Sequence, residues 1–208
     1  MCAFNNRATF SIMKYVLCVI YMPAEFNNLY GEKMRYIALL RGINAGKNRR
    51  VDMKSLKNTF ERLGCRNVST YINSGNVIFE SGDNKKTLRD NIENALLKEF
   101  GFEVPVLIKT NAEMKKVANV IPEHWRNDVT HRTDIAYLFN EIDSSKIIDE
   151  LPVNRSFIEV RYVKGALYWN VDRKNYNKSN LNKLIRHDIY RHMTVRNVNT
   201  ARFLGDIK

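Results

Sequence analysis

Residues 35–64 read RYIALLRGINAGKNRRVDMKSLKNTFERLG. The run from Arg35 to Arg41 is short and apolar, which is typical of a buried strand. A loop rich in glycine, asparagine and basic residues follows it. The apolar positions beyond the loop recur at helical spacing: Met53, Leu56, Phe60 and Leu63. With Asp52 as N-cap and Gly64 as the stop signal, the stretch predicts a strand followed by a helix.

The next segments complete one recognisable unit. Residues 68–73 and 77–79 are extended runs separated by Ser74-Gly75-Asn76, which predicts a hairpin. A second helix is predicted up to Gly101, with its apolar face formed by Leu88, Ile92, Leu96 and Phe100. Residues 104–108 predict a fourth strand. The order β-α-β-β-α-β is the ferredoxin-like, or split βαβ, pattern.

The second half of the chain repeats this order. Thr110 and Glu113 have capping-box spacing for a third helix, which Pro122 limits, and a polar linker is expected over residues 123–132. The remaining predicted elements are a strand (134–140), a helix (143–150), a hairpin (157–163 and 166–171) and a helix (181–190). We therefore predict an α+β fold of two ferredoxin-like lobes, with mostly antiparallel sheets and helices on one face.

These patterns divide the chain into three parts. Residues 34–110 form the predicted first lobe, and residues 111–208 form the second, degenerate lobe with its basic C-terminal segment. Residues 1–33 contain an apolar run, 15–22, that is shorter than the about 20 residues of a membrane span. A signal peptide is one interpretation of this segment; an extension outside the core, with Met34 as the natural start, is the favoured one.

Charge points to an anionic partner. The net charge is +12, and residues 161–208 hold eleven Lys or Arg against three acidic residues. A basic excess of this size favours nucleic acid or another polyanion. Codon bias toward Lys and Asn is the alternative explanation of the charge.

Several other classes of function receive no support. Cys2, Cys18 and Cys65 show neither a disulfide framework nor a zinc pattern, so a reducing, cytoplasmic location is expected. The histidines lack metal-ligand spacing, and neither a metal, a cofactor, a catalytic group nor a membrane association is indicated. The sequence gives no indication of the oligomeric state.

Candidate binding residues lie in three places. Ser74-Gly75-Asn76 could present hydroxyl and amide groups beside the glycine loop, or form only the hairpin turn. Residues 42–47 form a glycine loop before a helix, where Asn44 and Lys47 could meet a phosphate, although the P-loop spacing is absent and a simple βα turn is the favoured interpretation. Residues 194–202 are rich in donors suited to phosphate or carboxylate recognition. Capping and an edge strand are the structural alternative there. Aromatic residues between basic ones, Tyr168 and Trp169 among them, have the composition of a base-stacking surface, but alternation places at least one of these two in the core.

Three segments in order carry a family resemblance: residues 38–44 (ALLRGIN), Val51 with Met53, and residues 71–79 (YINSGNVIF). They resemble the opening signature of the bacterial domain of unknown function 1697 family, and residues 178–181 and 196–200 resemble its closing motif. The resemblance runs from about Met34 to the C-terminus. It implies two ferredoxin-like lobes and brings no established activity or catalytic residue.

The polar residues of these motifs define a hypothesis. They are expected to converge into one anion-binding site between the lobes, with Arg41 and Arg196 as bidentate partners. The predicted set is Arg41, Asn44, Lys47, Ser74, Asn76, Arg196, Asn197 and Thr200. The first function considered is a polyanion-binding module. The alternatives are an enzyme or sensor for a phosphorylated or carboxylated metabolite, and a structural partner protein.

Overall fold

Two antiparallel sheets of four strands each form the frame of the protein. The computed structural model describes residues 33–46 and 48–207. Residues 1–32 are not among the described residues. The expectation that residues 1–33 are an extension outside the core therefore stays a prediction.

The first sheet and its helices reproduce the predicted β-α-β-β-α-β unit. Its strands, in the spatial order β2-β3-β1-β4, are β1 (Met34–Leu40), β2 (Arg66–Tyr71), β3 (Asn76–Ser81) and β4 (Val106–Thr110). Its helices are α1 (Met53–Arg62) and α2 (Lys85–Phe100). The Asp52 carboxylate caps α1 by accepting a hydrogen bond from the Ser55 amide at 2.8 Å, as the sequence predicts. Both helices pack on one face of the sheet through a continuous apolar core.

The second sheet has the same topology as the first. Its order is β6-β7-β5-β8, with β5 (His131–Leu138), β6 (Glu159–Val163), β7 (Ala166–Asp172) and β8 (Met193–Asn197). The two lobes share an equivalent backbone hydrogen bond between the central strand and the hairpin turn. The Leu40 amide donates to the Gly75 carbonyl at 2.8 Å, and the Leu138 amide donates to the Gly165 carbonyl at 3.0 Å. The prediction of an α+β fold with two lobes is confirmed.

The helices of the second lobe are shorter than predicted. Of residues 143–150 only α4 (Ile147–Glu150) is α-helical, and of residues 181–190 only α5 (Leu181–Leu184). The Asp143 carboxylate accepts hydrogen bonds from the Gly165 amide and the Tyr162 hydroxyl, so it holds the β6–β7 turn instead of starting a helix. Within the described ranges, no helix has the length and apolar character of a membrane span.

The open faces of the two sheets meet in a middle layer. Alternation along β1 directs Ile37 and Leu39 into this layer, opposite Ile135 on β5. Two further helices, α3 (Asn111–Asn119) and α6 (Val198–Gly205), contribute their apolar sides. The predicted linker is not loose, because Trp125 is 2% exposed and packs on Tyr168 with ring centroids 5.7 Å apart.

Helices α3 and α6 approach each other closely at Gly205. A Cβ atom at this position would overlap the Ala118 Cβ and come within 3.2 Å of the Met114 carbonyl oxygen. We expect Gly205→Ala to destabilise the protein by about 1–3 kcal/mol through overpacking, measured by urea unfolding. Combining it with Ala118→Gly should restore part of the loss. If Gly205→Ala alone has no effect, the helices are not in this contact.

Candidate functional site

Arg196 joins the two lobes. It lies on β8, is 7% exposed, and donates through Nε to Asn76 Oδ1 at 2.5 Å. Its Nη2 donates to the Leu40 carbonyl at 2.9 Å and to the Gly75 carbonyl at 3.3 Å, while Nη1 donates to Thr194 Oγ1 and the Val195 carbonyl, both at 2.9 Å. These acceptors match the five N–H donors of a guanidinium. We call Arg196, Asn76, Gly75 and Leu40 the inter-lobe joint.

Burial shapes the electrostatics of this joint. Desolvation lowers the pKa of Arg196 to about 10, so the guanidinium stays charged at neutral pH. Asn76 is fully buried; its amide nitrogen donates to the Tyr71 carbonyl and to Ser74 Oγ, both at 3.0 Å. Ser74 and Asn76 therefore converge with Arg196, as the sequence predicts, but they bind one another.

The glycine loop is held by its own asparagine. Asn44 has a positive φ of 54°, and its amide nitrogen donates to the carbonyls of Val51 and Asn73, both at 3.0 Å. Its Oδ1 accepts from the Val51 amide at 2.9 Å. This bonding ties the loop to the β2–β3 hairpin, in agreement with the turn interpretation. Lys47 lies outside the described residues.

Arg41 differs from the other motif residues. Its guanidinium lies 5.9 Å from the centroid of the Tyr190 ring, and its buried Nε has no hydrogen-bond partner among the described residues. Tyr190 interacts electrostatically with both Arg41 and Arg196. A single site shared by the two arginines stays a prediction.

Asn197 and Thr200 serve helix α6. The Asn197 side chain caps the helix by accepting from the Thr200 amide at 2.9 Å, and Thr200 is 3% exposed. Asn197 and Thr200 thus have the helix-capping role that was the structural alternative to anion binding. Anion binding by the predicted set stays a prediction, and for Arg196 it would require protein hydrogen bonds to be broken.

A cavity of about 240 Å³ is lined by residues of both lobes. We call it the inter-lobe cavity. Lys109 on β4 and Glu113 and Lys116 on α3 line one side; Tyr137, Asn140, Asp143, Lys164 and Gly165 line the other. A second depression, of about 340 Å³, shares Lys109, Glu113 and Asn140 with it and adds Lys85, Lys86 and Arg89. The space between the lobes is therefore rich in cationic side chains.

Lys109 is the most buried of these lysines, at 7% exposure. Alternation along β4 places it on the same face as Leu107, so it points from the first lobe toward the β6–β7 turn. A Cβ atom built on Gly165 would lie 3.1 Å from Lys109 Nζ. The ammonium makes no hydrogen bond or ion pair with a described residue. Desolvation lowers the pKa of Lys109, with Lys85 and Lys164 acting in the same direction and Glu113 and Asp143 opposing them.

Tyr137 lines the same cavity from β5. Its side chain is fully buried, and its hydroxyl has no hydrogen-bond partner among the described residues. Burial raises the pKa of Tyr137, which keeps the hydroxyl protonated at neutral pH. A buried hydroxyl without a partner costs about 1–3 kcal/mol.

The two carboxylates of the cavity are already paired. Glu113 bonds to Lys85 and to the Thr110 amide and hydroxyl, and Asp143 lies 3.1 Å from Lys164 Nζ. Although burial raises their pKa values, these contacts outweigh it and hold both pKa values below the ordinary range. Both side chains are thus ionised at neutral pH. Lys109 and Lys116 are left without a carboxylate partner in the described ranges.

Sequence reasoning missed this set of residues. The available signal was Lys109 itself, a lysine that continues the apolar alternation of Val106-Leu107-Ile108. A charged residue on a core-facing position is unusual unless it is paired or functional. Tyr137 carries no such signal, because a tyrosine inside an apolar strand is ordinary.

Comparison with known proteins identifies a family and a similar solved structure. No curated protein matches it. A solved structure described as the conserved bacterial protein SP0830 from Streptococcus pneumoniae is similar, with a TM-score of 0.71 and 28% sequence identity. The match covers 83% of this chain and 97% of the other. The model of the family described as protein of unknown function (DUF1697) matches residues 34–169, and the chain belongs to that family.

Proposed function

We propose that the protein binds a small phosphorylated or carboxylated metabolite in the inter-lobe cavity, as an enzyme or sensor. The observation that carries the proposal is Lys109, a buried lysine at the cavity wall without an anionic partner among the described residues. An unpaired buried charge is costly, and a bound anion would offset that cost. Lys116 supplies a second cation from α3.

The size of the cavity favours a small ligand. A volume of about 240 Å³ corresponds to the liquid volume of about eight water molecules. That space suits a single carboxylate or phosphate compound, with Tyr137 and Asn140 supplying neutral polar groups for orientation. A polyanion would have to use the outer surface instead.

Two arguments for polyanion binding by the C-terminal segment, its free arginines and its exposed aromatic residues, are weakened by the structure. Arg196 is taken up by the inter-lobe joint, and Arg202 donates to the carbonyls of Pro122 and Glu123. Tyr168 and Trp169 are buried on opposite faces of the second sheet, at 5% and 3% exposure. Net charge remains as the argument for nucleic acid.

Binding of inorganic phosphate, lactate and pyruvate tests the proposal, measured by thermal stabilisation and calorimetry. We expect Lys116→Met to weaken the affinity about tenfold or more, because a hydrogen bond to a charged group contributes about 1.5–3 kcal/mol. Lys115→Met is the matched control: this lysine is exposed on the same helix and does not line the cavity. It should leave the affinity unchanged.

The same preparation separates the alternatives. Binding of all three anions that is equal in the two variants would contradict the cavity as the site. Tight, salt-resistant binding of labelled single-stranded RNA, unaffected by millimolar phosphate, would favour the polyanion function instead.

A further inference from the structure

We propose that Lys109 forms an imine with the ligand, and that the ligand is a small 2-oxo acid. This inference rests on the proposed function, because it assigns the chemistry of the same cavity. Two observations on the described residues support it: a buried amine at the cavity wall without a hydrogen-bond acceptor, and a second lysine on α3, Lys116, without a carboxylate partner.

The surroundings of the Lys109 amine favour its action as a nucleophile. An amine attacks a carbonyl carbon only in its neutral form, and burial beside other cations increases the neutral fraction. Lys109 is 7% exposed, and desolvation by burial is the main cause that lowers its pKa. The neighbouring Lys85 and Lys164 act in the same direction, with smaller effects than the opposing Glu113 and Asp143. Glu113 and Asp143 oppose this shift but are themselves bonded to those two lysines.

The reaction is balanced without a further reactant. The lone pair of Lys109 Nζ forms a bond to the carbonyl carbon, and the π electrons of the carbonyl move to its oxygen. The attacking nitrogen gives up one proton and that oxygen takes one up, which yields a carbinolamine. Its hydroxyl group and the remaining N–H proton then leave as water, and the neutral C=N bond that results takes up a proton from solvent. Tyr137 lines the cavity, and burial keeps its hydroxyl protonated.

The carboxylate of the oxo acid would pair with the second lysine of the cavity, Lys116. Lys116 has no ion-pair partner among the described residues and lines the cavity together with Asn140. A carboxylate held there would place the adjacent carbonyl carbon inside the cavity, and this arrangement distinguishes an oxo acid from a simple aldehyde. Phosphate and lactate would occupy the cavity without forming an imine.

Reductive trapping tests the inference on the unmodified protein. The protein is incubated with pyruvate and sodium cyanoborohydride, and the adduct is located by peptide mass mapping. We expect one adduct on Lys109, formed about tenfold or more faster than on any exposed lysine, because desolvation activates this amine. Lactate under the same conditions should compete with pyruvate and leave no adduct.

Two variants separate the inference from the proposed function. Lys109→Arg removes the primary amine, so the trapped adduct at this position should be lost, and lactate binding measured on the same variant reports separately how far the anion site is retained. Lys116→Met should slow trapping on Lys109 about tenfold, in parallel with its loss of affinity. If pyruvate and lactate bind but the adducts spread evenly over exposed lysines or do not form, the imine is excluded and anion binding stands. If neither acid binds but inorganic phosphate does, the imine is excluded and the proposed function stands; if none of the three binds, both proposals fail.

Discussion

Replacing Arg196 by methionine should lower the free energy of unfolding by about 3–5 kcal/mol, because buried acceptors on both lobes lose their donor. The Leu40 carbonyl and Asn76 Oδ1 receive bonds from Arg196 across the joint at 2.9 and 2.5 Å. Methionine fills a similar volume, so the loss reports hydrogen bonding more than packing. Urea unfolding followed by tryptophan fluorescence measures it, since Trp125 and Trp169 are buried in different core layers.

Arg191→Met is the matched control for this change. Arg191 lies five residues earlier and has an exposed side chain, 62%, that pairs only with Asp188 at 3.2 Å. Surface substitutions of this kind usually change stability by less than about 0.5 kcal/mol. Arg196→Lys should fall between the two, because an ammonium has three donors in place of five. An Arg196→Met protein as stable as the Arg191→Met protein would show that the joint does not hold the lobes.

Replacing Gly75 by alanine should cost about 2–5 kcal/mol, from two additive causes. Gly75 has a φ of +74°, a conformation that costs an L-residue about 1–2 kcal/mol. A Cβ atom would also lie 2.7 Å from the Leu40 Cβ and 2.8 Å from Ile43 Cδ1, and overpacking of this kind costs about 1–3 kcal/mol. Equilibrium unfolding in urea measures the sum.

Gly101→Ala separates these two causes. Gly101 has nearly the same φ, +76°, but nothing lies within 4 Å of a Cβ atom built on it. This variant should therefore show the conformational cost alone, about 1–2 kcal/mol. Equal losses at the two positions would contradict the close approach of the β2–β3 turn to β1.

The sequence predicts the elements of the fold better than their lengths. Asp52, the capping box of Thr110 and Glu113, and Gly101 act as local signals and are found in these roles. The helix predicted over 143–150 is cut short because the Asp143 side chain bonds to the β6–β7 turn, which is distant in the sequence. Local patterns contain no information about such a partner.

The candidate site shows the same limit more strongly. Donor-rich motifs identify Arg196, Asn76 and Asn44 as special, but each of them has a hydrogen-bond partner in the opposite lobe or in another loop. A donor that binds a ligand and a donor that binds a distant carbonyl have the same sequence signature. Lys109 and Tyr137 lie forty or more residues from most of those motifs, and they become candidates only when the fold brings their strands to one cavity.

The middle layer has a consequence for modularity. Each lobe has the strand order of a complete ferredoxin-like domain. Among the described residues, one face of each sheet is covered by the other lobe, by α3 and α6, and by the segment that contains Trp125. A fragment containing one lobe would expose Ile37 and Leu39, or Ile135 and Tyr168, to water. The two lobes therefore repeat one architecture, but neither is an independent folding unit. A lobe transferred to another protein would need other residues to bury that sheet face.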